Sequence, residues 1–222
     1  MLKLLRLVFF LPCLACSGTA VAAAQTFGLD GTEAGVDVRP PVGWLRQAQL
    51  LEKNADWPGL LAWGQAWAQF DAVNPIAWFI QGRAFSEMGR LPEAIEAYQR
   101  NVRVAPADVH ALNNLGNAFR DSRRPHEAMQ TYRIAVEIEP GYVQAWHNLG
   151  LTFYQSKGQV GVIRALKKLQ ATDPVLAEVW RTLVLEYSVT RDVRVANEAV
   201  KVLRGLKKEE LARMFGIVMG EG

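Results

Sequence analysis

The chain has 222 residues, half of them apolar, with 25 basic, 22 acidic and two cysteine residues. Such a composition excludes a disordered polyelectrolyte and is ample for a packed core. Nothing in it forms the basic stripe that nucleic acid or an anionic membrane needs, so no nucleic-acid partner is expected.

The chain opens MLKLLRLVFFLPCLACSGTAVAAAQTF. Lys3 and Arg6 form a basic head, Leu7 to Cys16 an apolar run, and Ser17 to Ala24 a small, mostly neutral tail. That order is the architecture of a secretory signal peptide over residues 1–24, and it predicts an exported, periplasmic protein, or else a secreted one. Ala20-Val21-Ala22 and Ala22-Ala23-Ala24 both fit the cleavage pattern, and the second places the cut between Ala24 and Gln25. An uncleaved anchor is the alternative, since roughly 18 apolar residues just span a bilayer. The Ala-rich second half makes a poor membrane centre, so no integral membrane domain is expected in the mature chain. Cys13 and Cys16 sit inside the apolar run without a second ligand pair, which argues against redox or zinc chemistry. Leu14-Ala15-Cys16 is similar to the end of a bacterial lipobox, although Cys13 stands where that motif has an aliphatic residue. Lipidation of Cys16 would tether the protein to a membrane.

Cleavage after Ala24 removes two basic residues and no acidic one, so the remainder is close to neutral and free of cysteine. Residues 25–40 are rich in Gly and Asp and are expected to form a flexible leader.

From residue 41 the chain aligns with itself at a step of 34 residues. Trp44, Trp78, Leu112, Trp146 and Trp180 fall in one column; Gly82, Gly116 and Gly150 in another; Leu51, Phe85, Phe119, Phe153 and Tyr187 in a third. Ala94, Ala128 and Ala196, then Tyr98 and Tyr132, then Pro106, Pro140 and Pro174 follow in register. The units begin at residues 41, 75, 109, 143 and 177. Each holds two helical patterns. In VHALNNLGNAFRDS the residues Leu112, Leu115, Gly116 and Phe119 recur at i, i+3, i+4 and i+7, the buried stripe of an amphipathic helix. PHEAMQTYRIAVEIEP follows, with Pro125 in its first turn and Pro140 at its end.

These residues and this spacing resemble the tetratricopeptide repeat (TPR), whose W-x2-L-G-x2-Y…A-x3-F…P pattern has the same period. The likeness covers residues 41–210. It implies an all-α, right-handed superhelical solenoid of about five helix-turn-helix units. The match is uneven: Ala48 of repeat one and Val184 of repeat five stand in the Gly column, as degenerate end repeats of a solenoid do, and in repeat four Val162 stands in the Ala column and Leu166 in the Tyr column. After them Leu211, Met214, Phe215 and Val218 share one helical face, which predicts a C-terminal capping helix over residues 206–220.

The resemblance also implies a ligand groove, because the first helices of such arrays line the concave side. Spacing from the Trp column puts Ile76, Phe79, Ile80 and Arg83 on that side in repeat two, and His110, Asn113, Asn114, Asn117 and Arg120 in repeat three. Repeat four adds Gln144, His147, Asn148, Leu151 and Tyr154, and repeat five Glu178, Arg181 and Thr182. Asn114 and Asn148 occupy one column, and a carboxamide both donates to and accepts from the backbone of an extended peptide. A chaperone-type carboxylate clamp is not expected, because Asn113, Glu178 and Thr182 replace its basic residues. His110, His126 and His147 lack metal-site spacing, and no catalytic or cofactor motif occurs, so no enzyme activity, metal or cofactor is expected. The expected role is a scaffold of the bacterial envelope that binds a protein or peptide partner. The alternative is a membrane-tethered lipoprotein that serves as an assembly factor, a pilotin-like subunit or a helper of cytochrome maturation.

Overall fold

The computed structural model describes residues 43–190 and 192–220. Cys16, the Ala24–Gln25 cleavage site and the leader lie outside the described residues. Within them the chain is helical, with no strand: α1 (Gly43–Lys53), α2 (Trp57–Phe70), α3 (Pro75–Glu87), α4 (Leu91–Val104), α5 (Val109–Asp121), α6 (Pro125–Ile138) and α7 (Val143–Thr172). Then come α8 (Pro174–Trp180), a π-helical stretch (Arg181–Glu186), α9 (Tyr187–Thr190), α10 (Val193–Gly205) and α11 (Lys208–Met219).

Short-range chemistry sets the helix starts. Asp56, Asn74 and Asp108 cap α2, α3 and α5 by accepting from the backbone N–H of Gly59, Ile76 and Ala111 at 2.9–3.1 Å. Proline in the first turn of α2, α3, α4 and α6 lacks the N–H that a helix start leaves unsatisfied anyway. Three turns between paired helices close alike. Ala55, Gly89 and Arg123, each 34 residues apart, take the left-handed conformation (φ 54°, 72° and 60°). The next N–H, of Asp56, Arg90 or Arg124, then reaches the carbonyl five residues back at 2.9 Å, which ends the first helix in a Schellman motif. The two arms of α7 instead meet at Gly158, with φ 62° and ψ 178°.

Each helix packs mainly on its neighbours along the chain, as a solenoid requires. A Cβ on Gly82 would lie 2.6 Å from the Tyr98 ring, and one on Gly116 would collide with Tyr132, so the glycine column lets paired helices touch across a tyrosine. The indole N–H of Trp78 donates to the Ala72 carbonyl (2.8 Å) and that of Trp146 to Pro140 (3.1 Å), pinning the inter-repeat loop under the ring.

The fifth repeat starts at Pro174, three residues ahead of the expected 177. Asp173 caps it (Asp173 Oδ1 to Leu176 N, 3.1 Å), so the loop present in the other repeats becomes helix. The Trp180 indole is buried without a hydrogen-bond partner, because the carbonyl in register with its column now lies in a helix. The capping helix α11 turns back onto α7 and α6. Its Phe215 is fully buried, stacked on Trp146 (centroids 5.8 Å, 19°) and edge-on to Trp180 (6.4 Å).

Candidate functional site: an inner cleft between repeats two and three

The first helices α3 and α5 enclose a cleft of about 350 Å³, with Arg83, Ser86 and Glu87 on one wall and Asn114, Asn117, Arg120 and Asp121 on the other. Tyr98 and Leu91 of α4 close its floor. The wall spacing follows from the Gly82–Tyr98 and Gly116–Tyr132 contacts, which fix how closely each helix pair sits.

Every charge in the cleft has a counter-charge. Arg83 lies 3.3 Å from Glu87 on its own helix and 3.3 Å from Glu52 of α1, which ties repeat one to repeat two. Arg120 bonds Asp121 at 3.0 Å. The Asn117 carbonyl accepts from the Tyr132 hydroxyl at 2.8 Å. Burial pushes the Tyr98 phenol up to about 12 and raises Tyr132 as well, so both stay protonated. Asn114 is half-buried and forms no hydrogen bond among the described residues, which leaves a donor and an acceptor open to the cleft.

The other expected groove residues are placed differently. Asn148 donates to the Asn113 carbonyl at 2.8 Å, and both are buried, so these amides join repeats three and four rather than face outward. A row of outward asparagines is therefore interrupted at Asn148. His147 is buried against Tyr187 (6.4 Å, edge-on), and Ile80 belongs to the core between repeats one and two. Phe79 is half-buried with its ring 5.9 Å from Tyr98. Gln144 and Tyr154 are exposed on α7, away from the cleft lining. His110 sits 3.2 Å from the Tyr142 hydroxyl, not beside His147. Four expected residues, Arg83, Asn114, Asn117 and Arg120, thus share the cleft. The acidic partners Glu52, Glu87 and Asp121 were not anticipated. The i,i+4 spacing of Arg83 and Glu87 was the one available signal. Among the described residues no cluster of acidic, His or Cys side chains is suited to a metal, and no helix is long and apolar enough to cross a membrane.

Two stretches, residues 45–108 and 80–143, match the family model described as tetratricopeptide repeat. Together they span residues 45–143, which are similar to that repeat family in sequence. No curated protein matches the chain in sequence. Among solved structures, a crystal structure of MamA shares 18% identity and a TM-score of 0.52 over 73% of this chain and 80% of that one. The protein described as "YrrB: a TPR protein with an unusual peptide-binding site" shares 15% identity and a TM-score of 0.50 over 91% of this chain and 96% of that one. At these identities the likeness shows a shared TPR solenoid fold.

Proposed function

We propose that this protein is a non-catalytic scaffold, exported to the periplasm, whose TPR cleft between α3 and α5 holds an extended segment of a partner protein. The observation that carries this reading is Asn114, an amide with no internal partner, set between two arginines that are already neutralised. A cleft of paired charges and open amides suits a peptide backbone and uncharged polar side chains better than a terminal carboxylate. The YrrB description names a peptide-binding site in a TPR protein of similar fold, which agrees with this use of the scaffold.

A photo-crosslinking residue at Asn114, introduced into the full-length chain in its native cell, tests the reading. One discrete adduct from Asn114, and none from the outward-facing Gln99, is expected. Equal capture from both positions, or capture from Gln99 alone, sinks it. Asn114→Ala should weaken capture of the same partner by about tenfold, the size of losing one or two peptide hydrogen bonds.

A second reading, a lipid-anchored assembly factor, rests on Leu14-Ala15-Cys16. The mass of the mature N-terminal peptide separates the two: a thioether-linked diacylglycerol on Cys16 supports tethering, and an unmodified Gln25 terminus supports a free periplasmic protein.

A further inference from the structure

From Pro140 to Thr172 the chain contains no acidic residue, although it carries Lys157, Arg164, Lys167 and Lys168. All four are exposed, and none pairs with an acid among the described residues. The corresponding helices of repeats two and three are built the other way. There Arg90 pairs with Glu93, Arg100 with Glu96, Arg124 with Glu127 and Arg133 with Glu137. The formal net charge of the whole chain is only +3, so this cationic face stands out only against the ion-paired arginines of those corresponding helices. Between its basic residues stand two exposed aliphatic side chains, Val160 (70% exposed) and Ile163 (45%). Beside its C-terminal end a groove of about 530 Å³ opens against α11, with Lys168 and Arg213 at its rim, the latter already paired with Asp173 at 3.1 Å, and Ala171, Gly216 and Ile217 along its floor.

We propose that the outer face of the second arm of α7, together with this groove, docks an acidic amphipathic helix of another protein. Charge complementarity names the occupant. Arg164, Lys167 and Lys168 lie within about one turn of the second arm, which a facing helix matches with Asp or Glu at i, i+3 and i+4, while Lys157 stands just ahead of them, at the end of the first arm before the break at Gly158. Val160 and Ile163 meet the apolar flank of such a helix, and one of its aliphatic side chains fills the recess over Gly216. Gly216 keeps that recess open, since a Cβ built there meets nothing within 4 Å. A lipid surface is the poorer match: a flat bilayer does not reach into a groove between two helices, and the face has no aromatic residue to anchor at an interface. This surface is separate from the α3–α5 cleft, and its test does not depend on that one.

The test uses the full-length protein and a fluorescent 18-residue helical peptide carrying Glu on one face and Leu and Ala on the other, read by anisotropy. Binding that weakens as salt is raised is expected, with loss of at least about tenfold in an Arg164→Glu, Lys167→Glu, Lys168→Glu variant. Gly216→Leu, whose Cβ meets nothing within 4 Å, puts bulk into the recess and is expected to weaken binding several-fold. Arg103→Glu, on repeat two, is expected to leave it unchanged. Circular dichroism confirms that each variant keeps its helix content. Full affinity in the triple variant overturns the proposal. So does equal binding of a peptide with Lys in place of Glu, or binding to phosphatidylglycerol vesicles without binding to the acidic peptide.

Discussion

Repeats two and three close their internal turns with one device, and repeat four has lost it. In the first two, Arg90 and Arg124 stack 4.6 Å over Phe85 and Phe119 and reach forward to Glu93 and Glu127. The same columns in repeat four hold Phe153, Gly158 and Gly161. Glycine at both positions removes the stack and the ion pair and leaves a tighter turn, in which a Cβ on Gly161 would lie 2.5 Å from that of Lys157. The N-cap goes too: Tyr142 stands in the column of Asn74 and Asp108 and makes no side-chain cap. Repeat four keeps its aromatic column nonetheless, because Phe215 of α11 packs on Trp146 and Trp180 from outside the repeat. A 34-residue period thus preserves the packing surfaces between helices while the local stabilising devices change from unit to unit.

If repeat four leans on α11, Phe215→Ala should have the largest effect. Deleting a fully buried aromatic costs about 3–5 kcal/mol, read as a lower denaturant midpoint. Hydrogen exchange should show the lost protection in α7, α8 and α11 while α3 to α5 stay protected. Uniform loss across all repeats would break the comparison.

The two kinds of turn differ in their tolerance for a side chain. Gly158 has φ 62° and ψ 178°, a region close to glycine-only, so Gly158→Ala should cost about 2 kcal/mol. Gly89 is ordinary left-handed backbone with open space around it, and Gly89→Ala should cost only about 1 kcal/mol. Arg123 already accepts that conformation in repeat three. Equal losses at the two glycines, measured by urea unfolding, would mean that the turns are alike.

A buried amide pair spans the junction between the two regions. Asn148→Ala removes the donor to Asn113 and leaves that carbonyl buried and unpaired, a cost of about 1–2 kcal/mol. Adding Asn113→Ala should recover part of it in a double-mutant cycle. A strictly additive pair would show that the 2.8 Å bond contributes nothing to holding repeat four on repeat three.

The solenoid was legible because its determinants are steric and periodic. Gly82 and Gly116 have to face Tyr98 and Tyr132, and Leu211, Met214, Phe215 and Val218 have to share one buried face, whatever surrounds them. The site was legible only in part. Arg83, Asn114, Asn117 and Arg120 follow from helical spacing, but spacing does not say how far adjacent repeats are rotated, and that rotation buries Asn148 and His147. Nor does it pair Glu52 with Arg83 across 31 positions. The start of repeat five was misplaced because a strong local cap, Asp173 before Pro174, overrides the period.

The smallest expected effect isolates the device that repeats two and three share. The hydrogen bond from Arg124 is the main reason that the Glu127 carboxyl sits below the ordinary glutamate range, and Arg90 does the same for Glu93. A carboxyl depressed in the folded state adds stability above its unfolded pKa, and that stability is lost as pH falls through the folded value. Acid should therefore loosen the turns of repeats two and three, while repeat four, with Gly158 and Gly161 in those columns, has no such pair to lose. Carboxyl-carbon NMR titration should show Glu93 and Glu127 with low midpoints, and Arg124→Ala should raise that of Glu127 while leaving Glu93 unmoved. A Glu127 midpoint unchanged in Arg124→Ala would mean that the guanidinium holds Phe119 alone, and that the turn owes its closure to the stack rather than to the charge.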